Sequence, residues 1–240
     1  QVEEIKQFLE QTPITVEHLE SGTTFDIEVT VHAGADSAKV RIANYHTNIV
    51  RIEKNGEILE NIPVSGEEEN NLTDRSLLDM EHIWEFINTV DVEDVKPILE
   101  PQLRMNMAIA EEGMTNDYGA NIGKVIWKTQ EHTTANHARA MAAAGSDARM
   151  NGCEMPVVIN SGSGNQGITA SVPVVIFARE LGVSEEKMYR ALALSNLTAI
   201  HQKTPIGRLS AFCGAISAGV GAGAGISYLK GGDYKVLIHI

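Results

Sequence analysis

The chain has 240 residues, of which 43% are hydrophobic, and its formal net charge is −13. This length is enough for one large domain or for two smaller domains with their own cores. Residues 1–116 contain 24 acidic and 8 basic residues, a net charge of −16, whereas residues 117–240 contain 8 and 11, a net charge of +3. An acidic surface repels nucleic acids and anionic membranes, so neither is predicted as a partner. The change in charge predicts two regions with different roles.

Cysteine usage and hydropathy bear on the compartment. Two cysteines without a signal-peptide pattern predict a cytoplasmic protein that has no disulfide framework. Residues 209–229 are uncharged, and 21 residues are long enough to cross a membrane. That segment contains five glycines and three serines and lacks flanking aromatic anchors. It therefore predicts a buried helix against which another backbone packs closely, and not a membrane span.

The first part of the chain has the pattern of a small sheet. A short helix is predicted over residues 3–11. Between residues 22 and 64, apolar residues alternate with polar ones, and turn signals occur at Gly34 and at Asn55-Gly56. This pattern predicts an antiparallel sheet of three or four strands with one solvated face.

Helical periodicity prevails after a polar, acidic connector at residues 65–74. Helices are predicted over residues 76–89, 92–113, 119–130, 133–149, 168–181, 184–202 and 209–229. The sequence thus predicts the α+β class, with a small antiparallel β-sheet domain followed by an all-helical catalytic domain. The predicted boundaries are residues 1–72 for the sheet domain with its N-terminal helix and residues 73–240 for the helical domain.

The turn at residues 160–167 reads Asn-Ser-Gly-Ser-Gly-Asn-Gln-Gly and lies between an apolar run, residues 155–159, and the helix predicted from Ile168. A turn of this composition at a strand-to-helix junction points several backbone N–H groups into one space. The helix N-terminus behind it adds positive potential. We therefore predict a pocket for a carboxylate or a phosphate. The candidate substrate-binding residues are Ser161, Gly162, Ser163, Gly164, Asn165, Gln166 and Gly167.

Three nucleotide-binding and hydrolase motifs are excluded at this turn. Gly162, Gly164 and Gly167 match G-x-G-x-x-G, but a dinucleotide site also needs a second strand that ends in an acidic residue about 20 residues on. Residues 182–186 instead begin a new helix, which Ser184 caps. A P-loop fails because no Lys-Ser/Thr pair follows Gly167, and the G-x-S-x-G elbow also fails.

The second segment with chemical potential is residues 201–214, which hold a His, a Lys, an Arg and a Cys around Pro205. A cysteine in the first turn of a helix has its thiolate favoured by the helix dipole, so Cys213 is a candidate nucleophile or metal ligand. The alternative is that Cys213, like Cys153, is a small buried apolar residue. Lys203 and Arg208 are predicted on a loop, either as surface charges or as cations that steer a carboxylate. No zinc motif is present.

Several segments together resemble one known family. They are Ser146-Asp-Ala-Arg-Met-Asn-Gly-Cys, the turn at residues 160–167, Ala193-Leu-Ser-Asn-Leu, Ile206-Gly-Arg-Leu-Ser-Ala-Phe-Cys-Gly-Ala and, in the sheet region, His46-Thr-Asn-Ile-Val. On these segments the chain resembles the uncharacterised family UPF0597, which is related to the α chain of iron–sulfur L-serine dehydratase and includes the L-cysteine desulfidases. The likeness covers nearly the whole chain.

The resemblance implies a cytoplasmic lyase that acts on a small amino-acid substrate, L-serine or L-cysteine, and releases pyruvate and ammonia. It implies a [4Fe–4S] cluster held by three cysteines, whose open iron acts as a Lewis acid on the leaving hydroxyl or sulfhydryl. Cys213 would then be a cluster ligand, Ser161 to Gly167 would bind the substrate carboxylate, and Lys203 and Arg208 would be catalytic candidates. Family members also carry a Cys-Thr-Glu-Pro segment upstream and a Cys-Asp-Gly-Ala-Lys segment downstream. Neither occurs here, so we expect an internal fragment that does not assemble the cluster alone.

Two rival functions stay open at this point. The first is a non-catalytic amino-acid-binding or regulatory module that keeps the anion-binding turn but has no cluster. The second is a hydrolase with Ser161 or Ser163 as nucleophile and His201 as base. The sequence also leaves open whether serine or cysteine is preferred, which residue is the catalytic base, and whether the protein is a homo-oligomer.

Overall fold

A computed structural model describes residues 2–23, 25–44, 47–64, 74–206 and 213–240. The chain divides into two compact units, a sheet unit at residues 1–73 and a helical unit at residues 74–240. The predicted α+β class is confirmed, because an antiparallel sheet is followed by a helical region.

The described part of the sheet unit contains one helix and four strands in the spatial order β1-β2-β3-β4, each antiparallel to its neighbours. The elements are α1 (Val2–Gln11), β1 (Asp26–Ala33), β2 (Asp36–Ala43), β3 (Ile49–Lys54) and β4 (Glu57–Asn61). The Asn55-Gly56 turn between β3 and β4 was predicted correctly: both residues have positive φ angles, 51° and 82°, as a tight hairpin turn requires. Asn55 Oδ1 also accepts a hydrogen bond from the Ser37 N–H on β2.

Apolar and polar residues alternate along β1, as predicted, but the apolar side chains are not buried. Ile27, Val29 and Val31 are each about half exposed. An ion pair instead supports β1 and β2, because Arg41 donates two hydrogen bonds to the Asp26 carboxylate. These hydrogen bonds hold the pKa of Asp26 below its ordinary value.

The described part of the helical unit consists mainly of helices. They are α2 (Met80–Thr89), α3 (Val92–Thr115), α4 (Ile122–Thr129), α5 (Thr134–Met150), α6 (Gly164–Leu181), α7 (Glu185–Lys203), α8 (Gly214–Leu229) and α9 (Tyr234–Leu237), with a 3-10 turn at Thr204–Ile206. The core lies around α6 and α7, whose largest fully buried side chains include Ile168, Leu192 and Leu194.

Two predictions in the helical unit need correction. Helix α6 begins at Gly164 and not at Ile168, so the second half of the predicted turn is helical. Residues 155–159, interpreted as a strand, belong to no sheet of the described chain; they are irregular and are followed by an isolated bridge between Asn160 and Ser163.

The described part of the uncharged segment forms a glycine-rich helix, as predicted, but only one face of it is buried, and Ile216 is 71% exposed. Helix α8 packs on α7 at backbone distance: a Cβ atom at Gly221 would overlap the carbonyl oxygen of Ser195, and one at Gly225 would lie 2.8 Å from the carbonyl oxygen of Ala191. Among the described residues, no helix has the length and apolar character needed to cross a bilayer.

Candidate functional site

The apolar run before the turn is held by a side chain and not by a neighbouring strand. Asn106 of α3 is fully buried; its Oδ1 accepts from the Val158 N–H at 2.9 Å, and its Nδ2 donates to the Val158 carbonyl at 3.1 Å. This pair of bonds reproduces what a paired strand would offer. Asn106 Nδ2 also donates to Ser171 Oγ, whose own proton goes to the Gly167 carbonyl. The run is thereby fixed to both α3 and α6.

The turn itself is a tight reversal at residues 160–163. The N–H of Asn160 donates to the Ser163 carbonyl at 3.1 Å, and the N–H of Ser163 donates to the Asn160 carbonyl at 3.0 Å. Ser161 and Gly162 have φ angles of 48° and 83°, which is the left-handed region that such a two-residue reversal requires. The chain continues from this reversal directly into the first turn of α6.

Asn160 is anchored by an amide network. Its Nδ2 donates to Asn196 Oδ1 at 2.8 Å and to the Asn196 carbonyl at 3.2 Å. Asn196 in turn exchanges hydrogen bonds with Gln102 of α3. On its other side, Asn160 Oδ1 accepts a hydrogen bond from Ser161 Oγ at 3.0 Å. The Asn160 side chain thus ties the turn to α7 directly and to α3 through Asn196.

The first turn of α6 presents a smaller donor set than the sequence predicted. The N–H groups of Ser163 and Gly167 are used in backbone hydrogen bonds, so the whole segment does not converge on one point. The N–H groups of Gly164, Asn165 and Gln166 lie at the helix N-terminus and have no hydrogen-bond partner among the described residues. Three N–H donors without a partner among the described residues, at the positive end of a helix, make this a candidate anion site.

Arg149 adds a cation to this N-terminus. It lies in the last turn of α5, where the helix dipole favours positive charge, and its Nη1 donates to Asn165 Oδ1 at 3.2 Å. Its side chain lies against Gly164, where a Cβ atom would overlap Arg149 Nε. No ion pair joins Arg149 to a carboxylate in the part of the chain that the structure describes. A guanidinium at the positive end of a helix favours an anionic ligand there.

The helix start also contains an unused capping arrangement. Ser163 and Gln166 have the Ser-x-x-Gln spacing in which each side chain satisfies the other residue's backbone N–H. Ser163, the N-cap residue, makes no side-chain cap, and its N–H is bonded to Asn160. Gln166 is 7% exposed, and its buried Oε1 has no hydrogen-bond partner among the described residues. A buried acceptor without a donor costs roughly 1–3 kcal/mol, which a ligand donor would recover.

Cys213 lies near this helix start. It is an exposed free thiol and the N-cap residue of α8, one position before the first turn in which it was predicted. The next residue, Gly214, contacts the Gln166 amide so closely that a Cβ atom would overlap it. Cys153 is half-buried against the core beside Tyr118, whose pKa is raised by hydrogen bonds with Glu112 and Cys153. The two thiols therefore have different surroundings.

The remaining predicted residues fall outside this group. Lys203 is the buried last residue of α7 and not a loop residue as predicted. Arg208 lies outside the described residues. His201 Nδ1 is bonded to the Leu78 carbonyl at 2.5 Å, and the Ser161 proton goes to Asn160, so neither hydrolase candidate is bonded to the other. The catalytic roles of Lys203 and Arg208 stay predictions.

An iron–sulfur cluster requires several thiolate ligands close together. Among the described residues, no group of three His, Cys, Asp or Glu side chains is arranged to hold a metal ion. The described chain offers one exposed thiol, Cys213, at a helix N-terminus that favours the thiolate. It fits a single ligand position and not a complete ligand set.

Comparison with known proteins places these residues in a wider context. The family model of the serine dehydratase alpha chain matches residues 20–239. A UPF0597 protein of Desulfitobacterium hafniense is 54% identical over 99% of this chain and 55% of its own length. UPF0597 proteins of Lachnoclostridium phytofermentans and Fusobacterium nucleatum are 47% and 42% identical over 97% and 99% of this chain, and over 55% and 57% of their own lengths. The chain thus spans about half the length of these curated relatives. No solved structure matches it significantly.

Proposed function

Because the chain belongs to the serine dehydratase alpha chain family, we propose that it binds the substrate in a lyase acting on L-serine or L-cysteine. In this reaction the α-proton and the β-substituent of the amino acid leave together, as water from serine or as hydrogen sulfide from cysteine. The enamine that results is hydrolysed to pyruvate and ammonia.

The observation that carries this proposal is the pairing of Arg149 with the start of α6. The N–H groups of Gly164, Asn165 and Gln166 have no partner among the described residues, and the Arg149 guanidinium contacts the same helix start. Together they supply hydrogen-bond donors and positive potential in one place. A substrate α-carboxylate accepts such bonds, and each bond to a charged group contributes about 1.5–3 kcal/mol. Carboxylate binding at this point fixes the distance of Cα and Cβ from the turn, which orients the bonds to be broken.

Cys213 is the residue that we propose as a ligand of the iron–sulfur cluster. When bound, such a cluster supplies a Lewis-acidic iron for the leaving hydroxyl or sulfhydryl. The contact between Gly214 and Gln166 places the Cys213 backbone beside the proposed carboxylate site. This proximity supports a ligand role for Cys213, since a leaving group on Cβ lies within a few bonds of the carboxylate.

The test compares two arginines of α5. The protein produced from its complete gene would be reconstituted anaerobically with iron and sulfide, and pyruvate formation from L-serine and L-cysteine measured. We expect Arg149→Gln to raise KM about 10- to 100-fold, because one charge-assisted hydrogen bond is lost. Arg139→Gln, which removes the same charge from an exposed position of the same helix, should leave KM unchanged.

Two outcomes would contradict the proposal. Equal KM values for Arg149→Gln and the wild type would show that the carboxylate binds elsewhere. Amino-acid binding without any pyruvate formation by the iron-loaded protein would favour the alternative, a non-catalytic amino-acid-binding or regulatory module.

A further inference from the structure

The orientation of the Asn160 amide is fixed by its neighbours. One of its two polar atoms lies 3.2 Å from the Asn196 backbone carbonyl, which has no proton and can only accept. That atom must therefore be the donor Nδ2. Asn196 is itself oriented, because its Nδ2 donates to the Leu192 carbonyl at 2.8 Å. The Asn160 Oδ1 atom consequently faces Ser161.

This orientation decides what Ser161 can offer a ligand. Ser161 Oγ and Asn160 Oδ1 are 3.0 Å apart, and since an amide oxygen has no proton, the serine must donate its only one. The Ser161 oxygen then has lone pairs alone for any further partner. Ser161 is half-buried and lies three residues before Gly164, the first residue of α6, on the same tight reversal that leads into the helix.

Gln166 provides a second, independent acceptor at the same helix start. It is more than nine-tenths buried, and its Oε1 has no partner in the described chain. Side chains in the first turn of a helix point back toward the N-terminus, so this amide is directed to the end where the free N–H groups lie. Within the described chain, residues 164–166 thus contain both N–H donors and a buried acceptor that have no partner.

A ligand that satisfies both sets carries an anion and a hydrogen-bond donor on neighbouring atoms, as an α-amino acid does. We infer that Ser161 Oγ accepts a hydrogen bond from the substrate's α-ammonium group, and that Asn160 is the positioning residue that imposes this polarity. The inference rests on the proposed carboxylate site at α6. It assigns Ser161 to the amino group, whereas the sequence assigned it to the carboxylate.

The experiment compares two ligands that differ in the amino group. Dissociation constants of L-serine and 3-hydroxypropionate would be measured by calorimetry with the 240-residue chain. We expect the wild type to prefer serine about 10- to 100-fold, since a hydrogen bond to a charged group is present only there. Ser161→Gly should reduce the preference to within a few-fold and keep the affinity for 3-hydroxypropionate, because glycine adopts the required positive φ without strain.

Further variants separate positioning from folding. Asn160→Ala should also reduce the preference for serine, although Ser161 is present, because the hydroxyl is then free to donate. Thr129→Val, which removes a hydroxyl from α4, should keep the wild-type ratio. A loss of affinity by the same factor for both ligands in Ser161→Gly would overturn the inference. An unchanged preference in that variant, or no preference in the wild type, would also overturn the inference. Either result would leave the proposed carboxylate site unaffected. Binding of neither ligand by the wild type would overturn the proposed function as well.

Discussion

Gln102 of α3 and Asn196 of α7 are 94 residues apart in the chain and exchange two side-chain hydrogen bonds, each 2.8 Å long. Gln102 is buried, and within the described chain Asn196 is the only hydrogen-bond partner of its amide. Asn196 also accepts hydrogen bonds from Asn160. The position of the turn before α6 therefore depends on how α3 and α7 pack together.

The amide network should contribute measurably to stability. We expect Asn196→Ala to lower the free energy of unfolding by about 2–4 kcal/mol, because the amides of Gln102 and Asn160 both lose partners. Urea denaturation would measure this effect. Gln102→Ala combined with Asn196→Ala should cost less than the sum of the single changes, since the two residues share their bonds. Strict additivity would show that the pair is not coupled.

Helix α8 offers a matched pair of glycines. Gly221→Ala should destabilise the protein by about 1–3 kcal/mol, because its Cβ would overlap the Ser195 carbonyl and push α8 away from α7. Gly219→Ala should stabilise it by up to about 1 kcal/mol through helix propensity, because no described atom outside the neighbouring backbone of α8 lies within 4 Å of the new Cβ. Thermal unfolding of both variants would measure the difference. Equal effects would mean that α8 does not pack as described.

The two thiols should react at different rates. Cys213 is exposed at a helix N-terminus, whereas Cys153 packs against the core. A disulfide reagent should therefore modify Cys213 first, in a fast phase that Cys213→Ser removes. Cys153→Ser should remove only the slow phase. A fast phase that persists in the Cys213→Ser variant would contradict the placement.

The stability that the N-cap of helix α2 contributes should depend on pH. The Asp79 side chain accepts from the His82 N–H, and its hydrogen bond to the His82 ring raises the pKa of that ring above the usual 6.5. This contribution to stability is complete below the unfolded pKa of His82 and is lost as the pH rises through the folded, raised pKa. NMR titration should give a lower His82 pKa in Asp79→Asn, which keeps a capping oxygen but removes the charge. An unchanged pKa would exclude Asp79 as the cause.

The sequence predicted elements whose signals are local. The Asn55-Gly56 turn was recognisable because its backbone conformation depends on those two residues. The start of α6 was misplaced because glycines have low helix propensity, and four residues that include Gly164 and Gly167 were interpreted as turn. Gly167 is there for a different reason: a Cβ atom would overlap the Val158 carbonyl. That requirement is visible only once the two segments are packed together.

The residues of the candidate site also divide into those with a local sequence signal and those that only the packing brings together. The turn was found from its composition, but Arg149 was not singled out, because its contact with Asn165 joins two different helices. Its position in the last turn of α5 could have indicated a role in the site, since a cation there lies close to the segment that leads into α6. The amide network gave no such signal, because Asn160, Asn196 and Gln102 are common polar residues until they are brought together. The orientation of Ser161 follows from that network and from no local pattern.

The dependence of Val158 on Asn106 has a consequence for the order of folding. The N–H and the carbonyl of Val158 are bonded to a side chain 52 residues earlier, and not to a neighbouring strand. Residues 155–163 therefore acquire their geometry only after α3 has formed and docked, since long-range contacts require the chain between them to close first. We expect amide hydrogens of this segment to gain protection later than those of α3 in pulse-labelling exchange during refolding. The turn at residues 160–163 would then be among the last parts of the helical unit to mature.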